Sequence, residues 1–195
     1  MTPLRFANVM RVMYHPVSYL HASRFPSGWH REDQAAHPLL NHWILRHYHC
    51  PSDDGADRGD PFYRFLLDNW QRLGDAALLI GAHLLRNRLL SEGRFILLSA
   101  PVQSFLALPL PPLTPGALPQ EQEEPATTLL QDPDPAAWGA YCLLSMLKRL
   151  SPAVYRRACL LFPVEQPLPQ QATSLSPSSI NLIKMALHHA QYFTR

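Results

Sequence analysis

The chain has 195 residues, of which 47% are hydrophobic and 16% charged, with a formal net charge of +2. That length accommodates one domain with a substantial core, and the charge is too small to imply a nucleic-acid partner. Three widely spaced cysteines, Cys50, Cys142 and Cys159, rule out a disulfide framework and suit a reducing compartment. The charged fraction lies below the usual figure of about 25%, which leaves more neutral surface and fits a protein that works inside an assembly. Residues 1–14 lack the apolar core and cleavage site of a secretory signal. The longest apolar run, residues 76–82, falls far short of the ~20 residues that span a bilayer. The expectation is a cytosolic protein with no direct membrane insertion.

Phe6, Val9, Met10 and Met13 recur at helical spacing and predict a short N-terminal helix. Pro16 ends it and opens a second short helix, and residues 26–28 (Pro-Ser-Gly) read as a turn. Residues 38–48 predict a helix with Leu39, Leu40, Trp43, Ile44 and Tyr48 on one side. Residues 50–61, rich in Asp and Gly, form a loop. Residues 61–73 predict a helix, and Asp75 is the expected N-cap of another that runs to Ser91, with Gly93 as its stop. Residues 95–98 predict a helical turn and residues 101–108 a short helix. Residues 109–135 contain eight prolines and the acidic residues Glu121, Glu123, Glu124, Asp132 and Asp134. Proline lacks an amide donor and restricts the residue before it, so this stretch is expected to be a long Pro-rich acidic loop or insert. Helices follow at residues 135–150, at 152–162 with Ser151 as cap, and at 177–193 with Ser176 as cap and Ile180, Ile183, Leu187, Ala190 and Tyr192 inward.

Alternating Val, Ile and Thr runs and hairpin turn signals are absent. The predicted fold is all-α: residues 1–195 as a single irregular bundle of about seven to nine short to medium helices. The C-terminal third is basic, with Lys148, Arg149, Arg156, Arg157, Lys184 and Arg195 against Glu165. The pair Arg156–Arg157, with Lys184 and His188 on the last helix, is therefore the candidate surface for an acidic partner.

The sequence offers no catalytic constellation. His37, His42, His47, His49 and Cys50 are crowded together, but their spacings do not match the usual zinc-ligand patterns. Asp53, Asp54, Asp57 and Asp60 lack the alternating oxygens and closing glutamate of a calcium loop. Phosphate-cradling glycines, a nucleophile elbow and a DNA-recognition helix are not found. The reading is of a non-enzyme without catalytic, cofactor or metal residues.

Three groups of residues nevertheless form an ordered pattern. Pro16, Ser18, Tyr19, Leu20, His21 and Arg24 come first, with His15 where an acidic residue is expected. Trp70-Gln71-Arg72-Leu73 follows, then a helix carrying Gly81, His83 and Arg86. Last come Phe105-Leu106-Ala107, Leu161-Phe162-Pro163 and residues 186–191. In this order the chain resembles the small accessory protein of bacterial type III secretion, called SctK, OrgA or MxiK in different systems. The 109–135 insert has no counterpart in that pattern. The resemblance implies an all-helical, cytoplasmic component of the sorting platform, held at the inner face of the inner membrane. It would link the cytoplasmic domain of the inner-membrane ring protein (SctD-like) to the pod, or C-ring, protein (SctQ-like). It also implies that the residues from Pro16 to Arg24 are structural, with Tyr19 packing and Ser18 and His21 satisfying local backbone groups; direct contact with a partner is the second reading of this segment. The alternative is a helical secretion chaperone or regulator that binds an amphipathic helix of a client.

Overall fold

Proline sets where most of the helices begin. It lacks the amide hydrogen that a first helical turn leaves unpaired, and its fixed φ suits that turn. In the computed structural model, which describes residues 3–29, 31–52, 59–110, 134–173 and 175–193, α1 (Pro3–Tyr14), α3 (Pro61–Asp68), α7 (Pro135–Leu150), α8 (Pro152–Cys159) and α9 (Pro177–His189) each start on proline. In α2 (His37–His47) and α6 (Ala100–Leu106) proline is the second residue. Among the described residues, only α4 (Leu73–Leu84) and α5 (Arg86–Ser91) begin without it. Six short 3₁₀ turns complete an all-α fold, and there is no strand among the described residues. Residues 53–58 and 111–133, and with them three of the four loop aspartates and most of the Pro-rich insert, lie outside the described residues.

The chain divides into two compact units, residues 1–71 with 150–165 and residues 72–149 with 166–195. In the first unit α1 packs on α2, α3 and α8, and α2 also packs on the 3₁₀ turn Pro16–Ser18. Its core contains Val12, Met13, Leu20, Leu40, Ile44, Leu66 and Val154, all essentially inaccessible. The expected N-terminal helix is present as α1, but its helically spaced apolar residues do not all face the core. Val12 and Met13 are buried, but Phe6 is 57% exposed and Met10 36%. On α2 Leu40 and Ile44 face inward as expected, whereas Leu39 is 63% exposed and Trp43 stacks on His47 with ring centroids 4.4 Å apart.

In the second unit α4 is the central helix. Leu73, Ala76, Ala77, Leu79, Ile80, Gly81 and Ala82 are all buried, a distribution too broad for one stripe and typical of a helix covered on several sides. It packs against α9 and α6, and its backbone meets that of α7. A Cβ on Gly81 would fall 1.8 Å from the Pro135 carbonyl oxygen, and one on Gly139 would fall 1.8 Å from that of Ala77. The two glycines let the helices touch where any side chain would hold them apart.

Boundaries differ from expectation where local hydrogen bonds intervene. The helix beginning at Pro61 stops at Asp68, not residue 73: the Asn69 side chain donates to the Phe65 carbonyl (2.9 Å) and terminates it. Asp75 is not a cap, because α4 starts at Leu73 and leaves it in the first turn. The helix expected to reach Ser91 breaks at Leu85, whose ψ of 7° is not helical, and resumes as α5. Ser151 and Ser176 do cap α8 and α9, accepting from the amides of Val154 and Ser179. Tyr192, expected inward, is 63% exposed. Gly93 takes the left-handed φ of 67° at the end of α5.

Gly139→Ala and Gly74→Ala should move stability in opposite directions. Gly74 lies in α4 with nothing within 4 Å of a new Cβ, so alanine there gains helix propensity, about 0.5–1 kcal/mol. At position 139 the clash with a backbone carbonyl outweighs that gain and costs about 2 kcal/mol or more. Denaturant midpoints shifting the same way in both variants would refute the helix–helix contact.

Candidate functional site

The residues from Pro16 to Arg24 form a splice between distant parts of the first unit. Pro16 is buried and opens the 3₁₀ turn Pro16–Ser18, whose carbonyl accepts from the amides of Tyr19 and Leu20 at 3.0 and 2.9 Å. The turn leaves the Val17 amide unpaired, and Asn41 of α2 accepts from it at 3.0 Å. Ser18 donates to the His15 carbonyl at 2.8 Å. Tyr19 is buried, donates to the Val12 carbonyl at 2.7 Å and meets Trp70 edge to face at 5.5 Å. Burial pushes its hydroxyl well above the ordinary tyrosine range, against the opposing pull of Arg157, so it stays a proton donor.

His21 joins the two segments of chain that make up this unit. Its amide donates to the Leu160 carbonyl at 2.8 Å, and its Nδ1 accepts from the Ser23 amide at 3.2 Å, capping the turn Ala22–Arg24. An accepting Nδ1 requires the neutral ring. Burial, then the Arg24 charge, lowers its pKa in the same sense, opposed by Glu165. Ser23 Oγ accepts from the Val164 amide at 3.0 Å. Arg24 is buried. Its Nε donates to the Phe162 carbonyl at 2.7 Å and its Nη2 to that of Pro163 at 2.8 Å, and the guanidinium lies over the Tyr48 ring. α8 ends at Cys159 rather than at residue 162 because the amides of Leu160, Leu161 and Phe162 donate to the carbonyls three residues back, those of Arg157, Ala158 and Cys159; the carbonyls of Leu160, Phe162 and Pro163 are then available to His21 and Arg24.

Arg157 lies in the same region. It was expected beside Arg156 on an exposed basic surface, and the structure corrects this: Arg156 is exposed, but Arg157 is 1% exposed. Its Nε and Nη2 both donate to the Met13 carbonyl (3.1 and 3.0 Å), and its Nη1 donates to Pro51 and Ala153 (2.8 and 3.1 Å). The Met13 carbonyl belongs to the last turn of α1, where no intrahelical donor remains and positive charge is favoured.

The remaining residues of the pattern lie elsewhere. Trp70 is buried in the first unit with its Nε1 lacking a hydrogen-bond partner. In the second unit Gly81 makes the α4–α7 contact, His83 sits two residues before the break with a buried, unpartnered Nδ1, and Arg86 is exposed just after it. Burial, reinforced by Arg86, lowers the His83 pKa from its ordinary 6.5. Lys184 and His188 share one face of α9, half-buried and exposed respectively. His37 donates to the Arg31 carbonyl at 2.8 Å, His47 is stacked on Trp43, and no group of three or more His, Cys, Asp or Glu able to hold a metal ion occurs among the described residues. Sequence reading missed Asn41, the burial of Arg157, and Gly139. A glycine inside the long apolar helix 135–150 was the one available signal among these.

The geometry is thus one of internal ties, with no cluster of reactive groups among the described residues. The profile described as bacterial type III secretion apparatus protein (OrgA_MxiK) matches residues 9–192. The chain belongs to that family. No curated protein matches, and no solved structure matches. The match spans the Pro16–Arg24 splice, the α4–α7 contact and α9, so a type III secretion apparatus protein is the setting for each of these features. No helix among the described residues is long and apolar enough to cross a membrane.

Two predictions separate the buried from the exposed positions. Arg156→Glu should leave the denaturation midpoint within about 0.5 kcal/mol of wild type, as for other surface changes. Arg157→Ala strands a buried carbonyl and loses charge-assisted bonds, and should cost about 3 kcal/mol or more. Equal effects of the two would overturn the burial of Arg157. For His83 the folded pKa is below the unfolded one, so the unfolded state takes up its proton first as pH falls. The stability that depends on neutral His83 is complete above about pH 6.5 and declines below it. Stability measured from pH 7.5 to 5 should therefore fall, and His83→Gln should flatten part of that fall, the rest coming from His21. An unchanged pH slope in the variant would exclude the effect.

Proposed function

We propose that this chain is a non-catalytic adaptor of the cytoplasmic sorting platform of a type III secretion system. It would link the cytoplasmic domain of the inner-membrane ring protein to the pod protein, held at the inner membrane through the apparatus rather than by insertion. The observation that carries this reading is the family match over residues 9–192. The distribution of exposed apolar residues supports it. An adaptor needs more than one contact surface, and each unit has its own set: Phe6, Met10, Tyr14 and Leu39 in the first, Leu90, Ile96 and Leu97 in the second. Ile96 and Leu97 are 78% and 80% exposed on consecutive positions, a feature more typical of interfaces than of bare surface. The residues from Pro16 to Arg24, with Trp70, Gly81, His83 and Arg86, act on this reading as scaffold. Arg156, Lys184 and His188 remain candidates for contact with an acidic partner, and the 109–135 stretch is an insert in one helical component.

Tagged protein purified from the native bacterium and examined by mass spectrometry should recover both the ring protein and the pod protein. A secreted client alone would move the reading to a chaperone. A folded bait that recovers neither would overturn the adaptor role.

A further inference from the structure

Phe6, Met10 and Tyr14 follow one another at four-residue intervals on α1 and are 57%, 36% and 43% exposed. At that spacing they form a continuous ridge about 12 Å long. The ridge does not end in open surface. Tyr14 forms one wall of a cleft of about 620 Å³ whose other lining residues include His15, His37, Pro38, His42 and Leu45. All of these residues belong to the first unit. An apolar ridge of i, i+4 rows running into a groove is the shape that accepts the side-chain ridge of another helix.

The charge carried by the two helices themselves has one sign. Neither α1 nor α2 contains an aspartate or glutamate. Arg11 is exposed beside the ridge, and Arg46 is exposed one turn beyond His42. The nearest carboxylates in sequence or packing lie on other segments. Glu32 and Asp33 precede the turn Gln34–Ala36, and Asp68 of α3 accepts from Asn8. A partner that buried its own arginines or lysines here would meet like charge, and one without charge would leave Arg11 and Arg46 partly desolvated and unpaired.

We infer that the α1 ridge and the adjoining cleft are a docking site for an acidic amphipathic helix of another component of the secretion apparatus. Apolar residues of that helix at i, i+3 or i+4 would lie on Phe6, Met10 and Tyr14, and its flanking carboxylates would face Arg11 and Arg46. The inference rests on the adaptor reading only for the partner's origin. The chemistry of the site stands on the residues themselves.

The test uses the full chain in the native bacterium, with a photoreactive residue at position 10, at position 42, or at the control position 97 in the second unit. Crosslinks from 10 and 42 should map to one segment of an apparatus protein, with carboxylates flanking apolar residues at helical spacing. Arg11→Glu with Arg46→Glu should reduce those two crosslinks about tenfold or more and leave the crosslinks from 97 and the thermal midpoint unchanged. Wild-type crosslinks from 10 and 42 to a basic segment, to nucleic acid or to a second copy of this chain would overturn the site, as would a charge-reversed variant that crosslinks at full yield. Silence at 10 and 42 while 97 captures an apparatus protein would reject the site and retain the adaptor. Crosslinks from 10 and 42 to an acidic helix of a protein outside the apparatus would support the recognition chemistry while rejecting the adaptor.

Discussion

One buried guanidinium sets the arrangement of the first unit. Arg157 donates to carbonyls of Met13, Pro51 and Ala153 from a position only 1% exposed. A charge removed from water is tolerated only when its donors are nearly all engaged, and here backbone carbonyls rather than a carboxylate engage them. The most distant of them, that of Met13, lies 144 residues from Arg157 in sequence. Every element that meets Arg157 is therefore held in one register: the end of α1, the loop after α2, and α8 itself. Arg24 repeats the device a short distance along, closing the chain beyond α8 with two more carbonyl bonds. Between these two cations, the Pro16–Arg24 segment is held by Asn41, Leu160 and its own Ser18, His21 and Ser23.

The second unit uses the opposite means. Where the first is tied by polar bonds across long sequence separations, the second is set by the absence of two side chains. Gly81 and Gly139 bring α4 and α7 into backbone contact, and α4 is then covered by α6 and α9 as well. Close approach of this kind has no tolerance for a methyl group, because the atoms in its way are carbonyl oxygens of rigid helices. The same unit closes its C-terminal loop onto α7. Gln166 donates to Ala137, Lys148 to the carbonyls of Pro169 and Gln170, and the Thr173 amide and hydroxyl to the Ser145 carbonyl and hydroxyl.

Much of this was legible in the residues. Proline at helix starts and serine caps at 151 and 176 marked the helices because these signals act through local backbone chemistry, and α7 was placed to the residue. The family pattern was legible as well, since it consists of short motifs kept in order. Less legible was which way a helix faces. Phe6 and Met10 match the inward spacing as well as Met13 does, yet they are exposed, and Leu39 is exposed beside a buried Leu40. Periodicity identifies a stripe without saying what covers it. The candidate surface suffered most from this: two adjacent arginines look alike in sequence, while α8 turns one outward and the other into the core.

By itself the sequence determined the all-α class, most helix starts and the family, because each rests on local conformational preference or on motif order. The tertiary structure alone decided that Arg157 is a buried tie, that Gly81 and Gly139 meet, and that α1 leaves an apolar ridge uncovered beside a carboxylate-free cleft. Each of these depends on a partner far away in the chain. No local preference encodes the position of such a partner, and only packing, with its demand that buried polar groups be paired and backbones not collide, selects it.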